Sequence, residues 1–267
     1  MFVEAPLQFI DISAKLTAFE EQFYSRAMEI LDESGVPWLV GGAFALAHYS
    51  GVLRYTKDFD VMVRRDDVDL VLEAFSRAGF SAAVVFEHWI AKVHSGKSFI
   101  DVIFNSGNGL CPVDDEWIRH ACPAIILKRE VRLCPVEEII WQKAFIMERE
   151  RFDGADIMHL LRGCASSIAW RRLLDRFGDD GCILLAHLLI FRFVYPDLAA
   201  TVPDWVFRKL QALPNPAGTK TCNGTLLSRS QYLDDIERLG YLDPRIHSRH
   251  LLTEKQADAW TAAAERQ

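Results

Sequence analysis

The sequence predicts an α+β fold, a mixed β-sheet flanked by helices and followed by a mainly helical C-terminal region. Three observations predict it. Short β-branched and aromatic runs alternate with helical patterns over residues 37–134. Beyond Pro135 the strand signals fade and helical periodicity takes over. The chain of 267 residues is 50% apolar and 25% charged, which excludes collagen-like, low-complexity and mostly disordered classes. The expected division is residues 1–134 and residues 135–267, each long enough to bury a core.

Residues 13–34 read as a helix packed before the first strand. Strands are expected at 38–40, 59–63, 82–86, 89–93 and 99–104, each short and flanked by breakers. Helices are expected at 43–49 and 66–78. In the second of these Val68, Val71, Leu72 and Phe75 recur at helical spacing, and Gly79 is a natural stop. Ser95-Gly96-Lys97 turns one hairpin and Lys128-Arg129-Glu130 a second. After Pro135, a tolerated first-turn proline, helices are expected at 136–148, 153–162, 166–176, 180–193 and 203–213. A loop rich in Pro and Gly covers 213–224, and short helices at 231–239 and 253–264 close the chain.

With 30 Lys+Arg against 37 Asp+Glu, the formal charge is −7. An acidic chain is a poor candidate for non-specific binding to nucleic acid or anionic membranes. The six cysteines contain no C-x-x-C pair, which fits free thiols in a reducing compartment. The opening Met-Phe-Val-Glu has no basic n-region or long apolar stretch, so no signal peptide is expected. The most apolar run, 182–191, is about half the length of a membrane span and reads as a buried helix. The expected location is cytoplasmic, with no membrane partner.

The chemistry concentrates between Trp38 and Phe104. A buried strand ends in Gly41-Gly42 and a helix starts at once. First-turn N–H groups make an anion site there, and glycine lets a phosphate approach the backbone. Alone, that pair also fits a tight packed turn. Asp58 and Asp60 stand two apart on an apolar strand, so both carboxylates project from one face, roughly 7 Å apart at Cα. Like charges so placed call for a cation between them, and Mg²⁺ takes carboxylates together with substrate phosphates. A strand end facing solvent is the equal alternative for the pair alone. Asp101, in Ser98-Phe-Ile-Asp-Val-Ile-Phe104, is flanked by apolar residues and does not read as surface decoration. A neighbouring strand would bring it beside the pair, giving three carboxylates for two metal ions and a group to help deprotonate a hydroxyl.

Strand, Gly-Gly and helix, then Thr56-Lys57-Asp58-Phe59-Asp60, then a later strand carrying Asp101, resembles the nucleotidyltransferase fold of the polymerase-β superfamily. The likeness is closest to minimal nucleotidyltransferases and AbiE-type toxin nucleotidyltransferases. It implies that Gly41 and Gly42 contact the triphosphate, that Asp58 and Asp60 hold the metals, and that Asp101 completes the triad. Two Mg²⁺ ions are the implied cofactor, with Mn²⁺ the alternative, and a nucleoside triphosphate is the implied substrate. One departure is the 15 residues separating Gly42 from Asp58, more than in many members. The helices after Pro135 resemble those following the catalytic domain in the AbiE-like group. By that likeness Lys143 contacts the nucleotide phosphates and Asp156 helps shape the site. From sequence alone a solvated Lys143 is as good a reading, and Asp153 most simply caps a helix.

His48 reads as a packed histidine, and Arg54, Lys57, Arg64 and Arg65 as a basic groove or as solvated loop charges. His88, His94 and His120 share no metal-ligand spacing. The expected activity is Mg²⁺-dependent transfer of a nucleoside monophosphate to an acceptor hydroxyl on tRNA, a protein or a small molecule. A cognate antitoxin is the partner that the toxin likeness implies. The alternative is a catalytically lapsed nucleotide- or partner-binding module, against which stands the retention of three carboxylates.

Overall fold

Thr17 opens the first helix, α1 (Ala18–Glu33), with a capping box in which its hydroxyl accepts from the Glu20 N–H and the Glu20 carboxylate accepts from the Thr17 N–H. The computed structural model describes residues 16–53, 56, 58–214 and 220–263. Residues 13–15 of the expected first helix therefore lie outside the described residues, as do Arg54 and Lys57. Two units emerge: Met1–Asn105 with Pro112–Pro135, and Ser106–Cys111 with Val136–Gln267.

In the first unit β1 (Leu39–Val40) runs into α2 (Gly42–Ser50), which ends at Gly51 with φ 71°. Next come β2 (Asp58–Met62), a 3₁₀ turn (Arg65–Asp67), α3 (Val68–Arg77), β3 (Ser81–Phe86), β4 (Ile90–Ser95) and β5 (Ser98–Ile103). A five-residue helix α4 (Asp115–Arg119) precedes the hairpin β6 (Cys122–Ile126) and β7 (Arg129–Leu133). That hairpin turns at Leu127-Lys128, both with positive φ, slightly before the expected turn. The α4 helix is too short to show periodicity in the sequence. Asp114 caps it through the N–H groups of Glu116 and Trp117, and Trp117 is wholly buried.

Among the described residues seven strands form one mixed sheet in the order β3-β4-β5-β2-β1-β7-β6. The β2–β5 and β1–β7 pairs are parallel and the remainder antiparallel. Alternation splits the central strands cleanly. Phe59, Val61, Ala91, Val93, Ile100 and Val102 are fully buried on one face. Tyr24 of α1 stacks on Phe59 at 5.2 Å, and Phe44 of α2 meets the same ring edge-on at 5.1 Å. The other face of β2 and β5 receives Asp58, Asp60 and Asp101.

The second unit holds α5 (Val136–Ala144), α6 (Gly154–Cys164), α7 (Trp170–Phe177), α8 (Gly181–Val194), α9 (Asp204–Gln211), α10 (Leu233–Glu237) and α11 (Glu254–Ala262). The helix expected over 136–148 stops at Ala144. Met147 instead bonds to Leu227 and bridges Phe152, so this backbone is satisfied without a helix. The segment Ser106–Cys111 joins this unit because Asn108 donates to the Leu226 carbonyl at 2.7 Å and Gly109, at φ +81°, lies against Leu251 and Leu252. Glu138, fully buried on α5, is held by Arg172 and Arg176 of α7.

The buried helix expected at 182–191 is α8, and it is buried on one side only. Leu184, His187, Leu188 and Phe191 form the inner stripe, while Leu189, Ile190 and Phe193 are exposed, the last at 87%. A helix apolar all round usually signals burial on every side, and here it does not. No helix among the described residues is long and apolar enough to cross a membrane. All six cysteines are free.

Candidate active site

The turn after β1 is built around the Asp60 strand. The Gly41 N–H donates to the Asp60 carbonyl at 2.9 Å, so the chain leaves the sheet beside that residue. Gly42 then takes φ +52°, a conformation that side chains disfavour. A Cβ on Gly42 would stand 1.6 Å from Asp60 Oδ2. Gly42 is thus required by the carboxylate as much as by its own dihedral. At Gly41 the one close contact of a Cβ would be the terminal methyl of Met62, at 2.6 Å, with Cys134 Sγ at an ordinary 3.5 Å. The first-turn N–H groups of α2 have no intrahelical partner by geometry, and they open beside the carboxylate strand.

Asp60 and Asp101 are register partners across the parallel β2–β5 pair, and Asp58 lies one step along the same face, opposite Phe99. One carboxylate oxygen from each of Asp58, Asp60 and Asp101 lies within 4.8 Å of the others. Thr56 donates its hydroxyl to Asp58. Like charges directly opposite one another in a sheet are destabilising, and the structure supplies a counter-charge. Lys92 on β4 is the antiparallel partner of Asp101, with Nζ 2.5 Å from Oδ1. The same ammonium sits 4.0 Å from the centroid of the Phe99 ring. Burial pushes the Asp101 carboxyl above the usual range, and the hydrogen bond and charge of Lys92 pull it back, while the charge of Asp58 adds to the upward push. Three hard oxygen donors converging on one point fit a hard divalent cation such as Mg²⁺. Sequence reasoning assigned no role to Lys92. The signal was present, since a two-residue turn at Gly96-Lys97 pairs residue 95 with 98 and therefore 92 with 101.

The remaining sequence candidates have partners of their own. Lys143 belongs to the second unit, where Nζ bonds Asp153 at 2.6 Å and Asp156 at 2.8 Å. Asp153 occupies the position before α6 but makes no side-chain cap. Burial opposes its charge, yet the Arg151 hydrogen bond with the charges of Lys143 and Arg151 prevails and holds its pKa at about 2. The capping role is thus replaced by an ion-pair role. His48 is packed, with burial lowering its pKa and Nε2 3.9 Å from Cys122 Sγ. Of the basic groove, Arg64 is tied to Asp67 and Asp115, both at 2.7 Å, and Arg65 lies 5.1 Å from the Phe104 ring centroid.

A family model described as aminoglycoside-2''-adenylyltransferase matches residues 25–104, the stretch that contains Gly41, Gly42 and all three carboxylates. No curated protein matches the chain. Among solved structures, the antibiotic-resistance factor ANT(2'')-Ia in solution is 17% identical, with 69% of this chain and 97% of that one covered at a TM-score of 0.40. The lincomycin-bound lincosamide adenylyltransferase LnuA is 12% identical, covering 54% of this chain and 94% of its own at 0.37. An antigenic nucleotidyltransferase-like protein from Paracoccidioides brasiliensis is 16% identical, covering 72% and 99% at 0.47.

Proposed function

We infer that this chain is a nucleotidyltransferase of the polymerase-β superfamily and that it transfers a nucleoside monophosphate from ATP to a hydroxyl of a small polyhydroxylated compound, releasing pyrophosphate. The observation that carries the reading is the convergence of Asp58, Asp60 and Asp101 beside a glycine-opened helix N-terminus. Adenylyl transfer and a small acceptor are supported by the description of the matched family. The engagement of Arg64 by Asp67 and Asp115 leaves less basic surface for an RNA acceptor. These features favour a small-molecule acceptor over tRNA, a protein side chain or the role of an antitoxin-controlled toxin.

In this reading the backbone at Gly41-Gly42 and the first turn of α2 bind the triphosphate. Asp58, Asp60 and Asp101 hold Mg²⁺, which when bound neutralises phosphate charge and polarises the α-phosphoryl group. Asp101 accepts the proton of the acceptor hydroxyl and passes it to solvent. The acceptor oxygen bonds to the α-phosphorus, the bond from that phosphorus to the bridging oxygen breaks, and pyrophosphate leaves with the electron pair. Lys143 uses two of its three donors on Asp153 and Asp156 within the second unit.

The test offers α-³²P-labelled ATP, CTP, GTP and UTP with Mg²⁺ to the wild type and to Asp60→Asn. The acceptors are a panel of hydroxylated antibiotics that includes tobramycin and lincomycin, and a total tRNA fraction. Label moving from ATP to a small molecule with wild type alone is the expected result. Normal turnover by a folded Asp60→Asn would overturn the metal site, and label in tRNA would overturn the acceptor class.

A further inference from the structure

We propose that Lys92 is a positioning residue of this site, committing one oxygen of Asp101 so that the other is aimed at the acceptor hydroxyl. The inference rests on the reading of Asp58, Asp60 and Asp101 as the metal-holding triad. Lys92 takes no part in binding the triphosphate in that reading.

Three features of the geometry support it. First, Lys92 and Asp101 are direct cross-strand partners in the β4–β5 hairpin, and the contact from Nζ to Oδ1 is 2.5 Å. Charge-assisted bonds of this kind fix direction as well as distance. Second, the ammonium is held from a second side. Its Nζ lies 4.0 Å from the Phe99 ring centroid, and Phe99 is itself the register partner of Asp58. One side chain therefore spans from Asp101 to the aromatic ring beside Asp58, which keeps the long lysine stem from wandering. Third, the row running across the sheet is Asp60, Asp101, Lys92. Asp101 is flanked by a like charge on one side and an opposite charge on the other. Without Lys92, repulsion from Asp60 and Asp58 would leave the Asp101 carboxylate free to rotate within the cluster, losing its aim while keeping its charge there.

This arrangement makes two quantities move in different directions when Lys92 is removed. Loss of the ammonium leaves three carboxylates with one more unit of net negative charge, so a divalent ion binds as tightly or more tightly. Turnover falls, because Asp101 is no longer held where the reacting hydroxyl must meet it. A misplacement on the ångström scale costs roughly 10²-fold in rate. A merely destabilising mutation would weaken metal binding and turnover together.

The experiment compares wild type, Lys92→Met, Lys92→Arg and Asp60→Asn as full chains. Mn²⁺ affinity is read by electron paramagnetic resonance, and kcat and KM for ATP are read from pyrophosphate release with water or an added acceptor. For Lys92→Met we expect Mn²⁺ affinity equal to or above wild type, KM for ATP within roughly threefold, and kcat lower by about 10²-fold. Lys92→Arg keeps the charge and a donor, and is expected to recover most of the lost kcat. Unchanged kcat in Lys92→Met overturns the proposal, as does a joint loss of Mn²⁺ affinity and kcat, which would mark a structural role. The two readings fail separately. If wild type binds Mn²⁺ no better than Asp60→Asn, the triad assignment itself falls, and this inference with it. If Mn²⁺ binding depends on Asp60 but Lys92→Met turns over normally, only the role of Lys92 falls.

Discussion

Replacing Gly42 by alanine should disable the site by displacing Asp60, while the same change at Gly41 should be absorbed. Two costs add at Gly42. Its φ of +52° disfavours an L side chain by roughly 1–2 kcal/mol. The added Cβ would stand 1.6 Å from Asp60 Oδ2 and 2.5 Å from its Cγ, where ordinary contact begins near 3.4 Å. The carboxylate must therefore retreat by well over an ångström, out of a cluster whose carboxylate oxygens lie within 4.8 Å of one another. Displacement on that scale costs about 10²-fold in turnover, or roughly 2.7 kcal/mol of barrier. At Gly41 the obstacle is the terminal methyl of Met62 at 2.6 Å, and that flexible chain can rotate away for about 1 kcal/mol. Both variants would be checked for folding by circular dichroism and thermal melting, then for Mn²⁺ affinity and pyrophosphate release. The expected pattern is a folded Gly42→Ala with weakened Mn²⁺ binding and poor turnover, beside a Gly41→Ala with wild-type Mn²⁺ binding. Wild-type Mn²⁺ affinity and turnover in Gly42→Ala would refute the steric argument.

Two further predictions concern the second unit. His187 is fully buried and its Nε2 lies 3.1 Å from the Ala144 carbonyl, with burial lowering its pKa against a smaller opposing effect of that bond. The unfolded chain takes up this proton near pH 6.5 and the folded chain only at lower pH, so the stability at stake is full above pH 6.5 and declines as pH falls. Melting temperature should drop less steeply from pH 7 to pH 5 in His187→Leu than in wild type, and parallel slopes would contradict this. Arg172 binds both Glu137 and the fully buried Glu138. Arg172→Met leaves Glu138 with Arg176 alone and should cost about 3 kcal/mol in urea unfolding; a loss below about 1 kcal/mol would mean that Arg176 suffices.

Much of the site was legible because strand alternation is strict. Asp58 and Asp60 had to share a face, and the apolar residues between and beside them had to fill the other. The partner strand was harder. That Asp101 faces Asp60 follows from a parallel pairing joined through α3 and the β3–β4 hairpin, and no local pattern encodes a register over such a distance. Other elements were misread for identifiable reasons. Asp153 has the residue type and position of a cap, but Lys143 and Arg151 compete for its carboxylate and win. The six residues Ser106–Cys111 leave the first unit through contacts with Leu226, Leu251 and Leu252, all far along the chain.

The two kinds of pairing that meet at Asp101 explain how such a cluster of like charges is tolerated. The β2–β5 pairing is non-local and brings like charges together, which opposes folding. The β4–β5 hairpin is local, its turn closing at Ser95 and Ser98, and it delivers Lys92 to Asp101 over a separation of nine residues. Local contacts form at low entropic cost, whereas the parallel pairing must close a much longer loop. The counter-charge is thus built into the element that can assemble first, so that the parallel pairing places Asp60 beside a carboxylate already neutralised rather than a bare one. The prediction that follows is kinetic. In Lys92→Met the folding rate, measured by stopped-flow fluorescence without divalent ions, should fall more than the unfolding rate rises, and millimolar Mg²⁺ should restore it by supplying the missing charge. A variant slowed equally with and without Mg²⁺ would show that lysine packing, not its charge, is what the hairpin contributes.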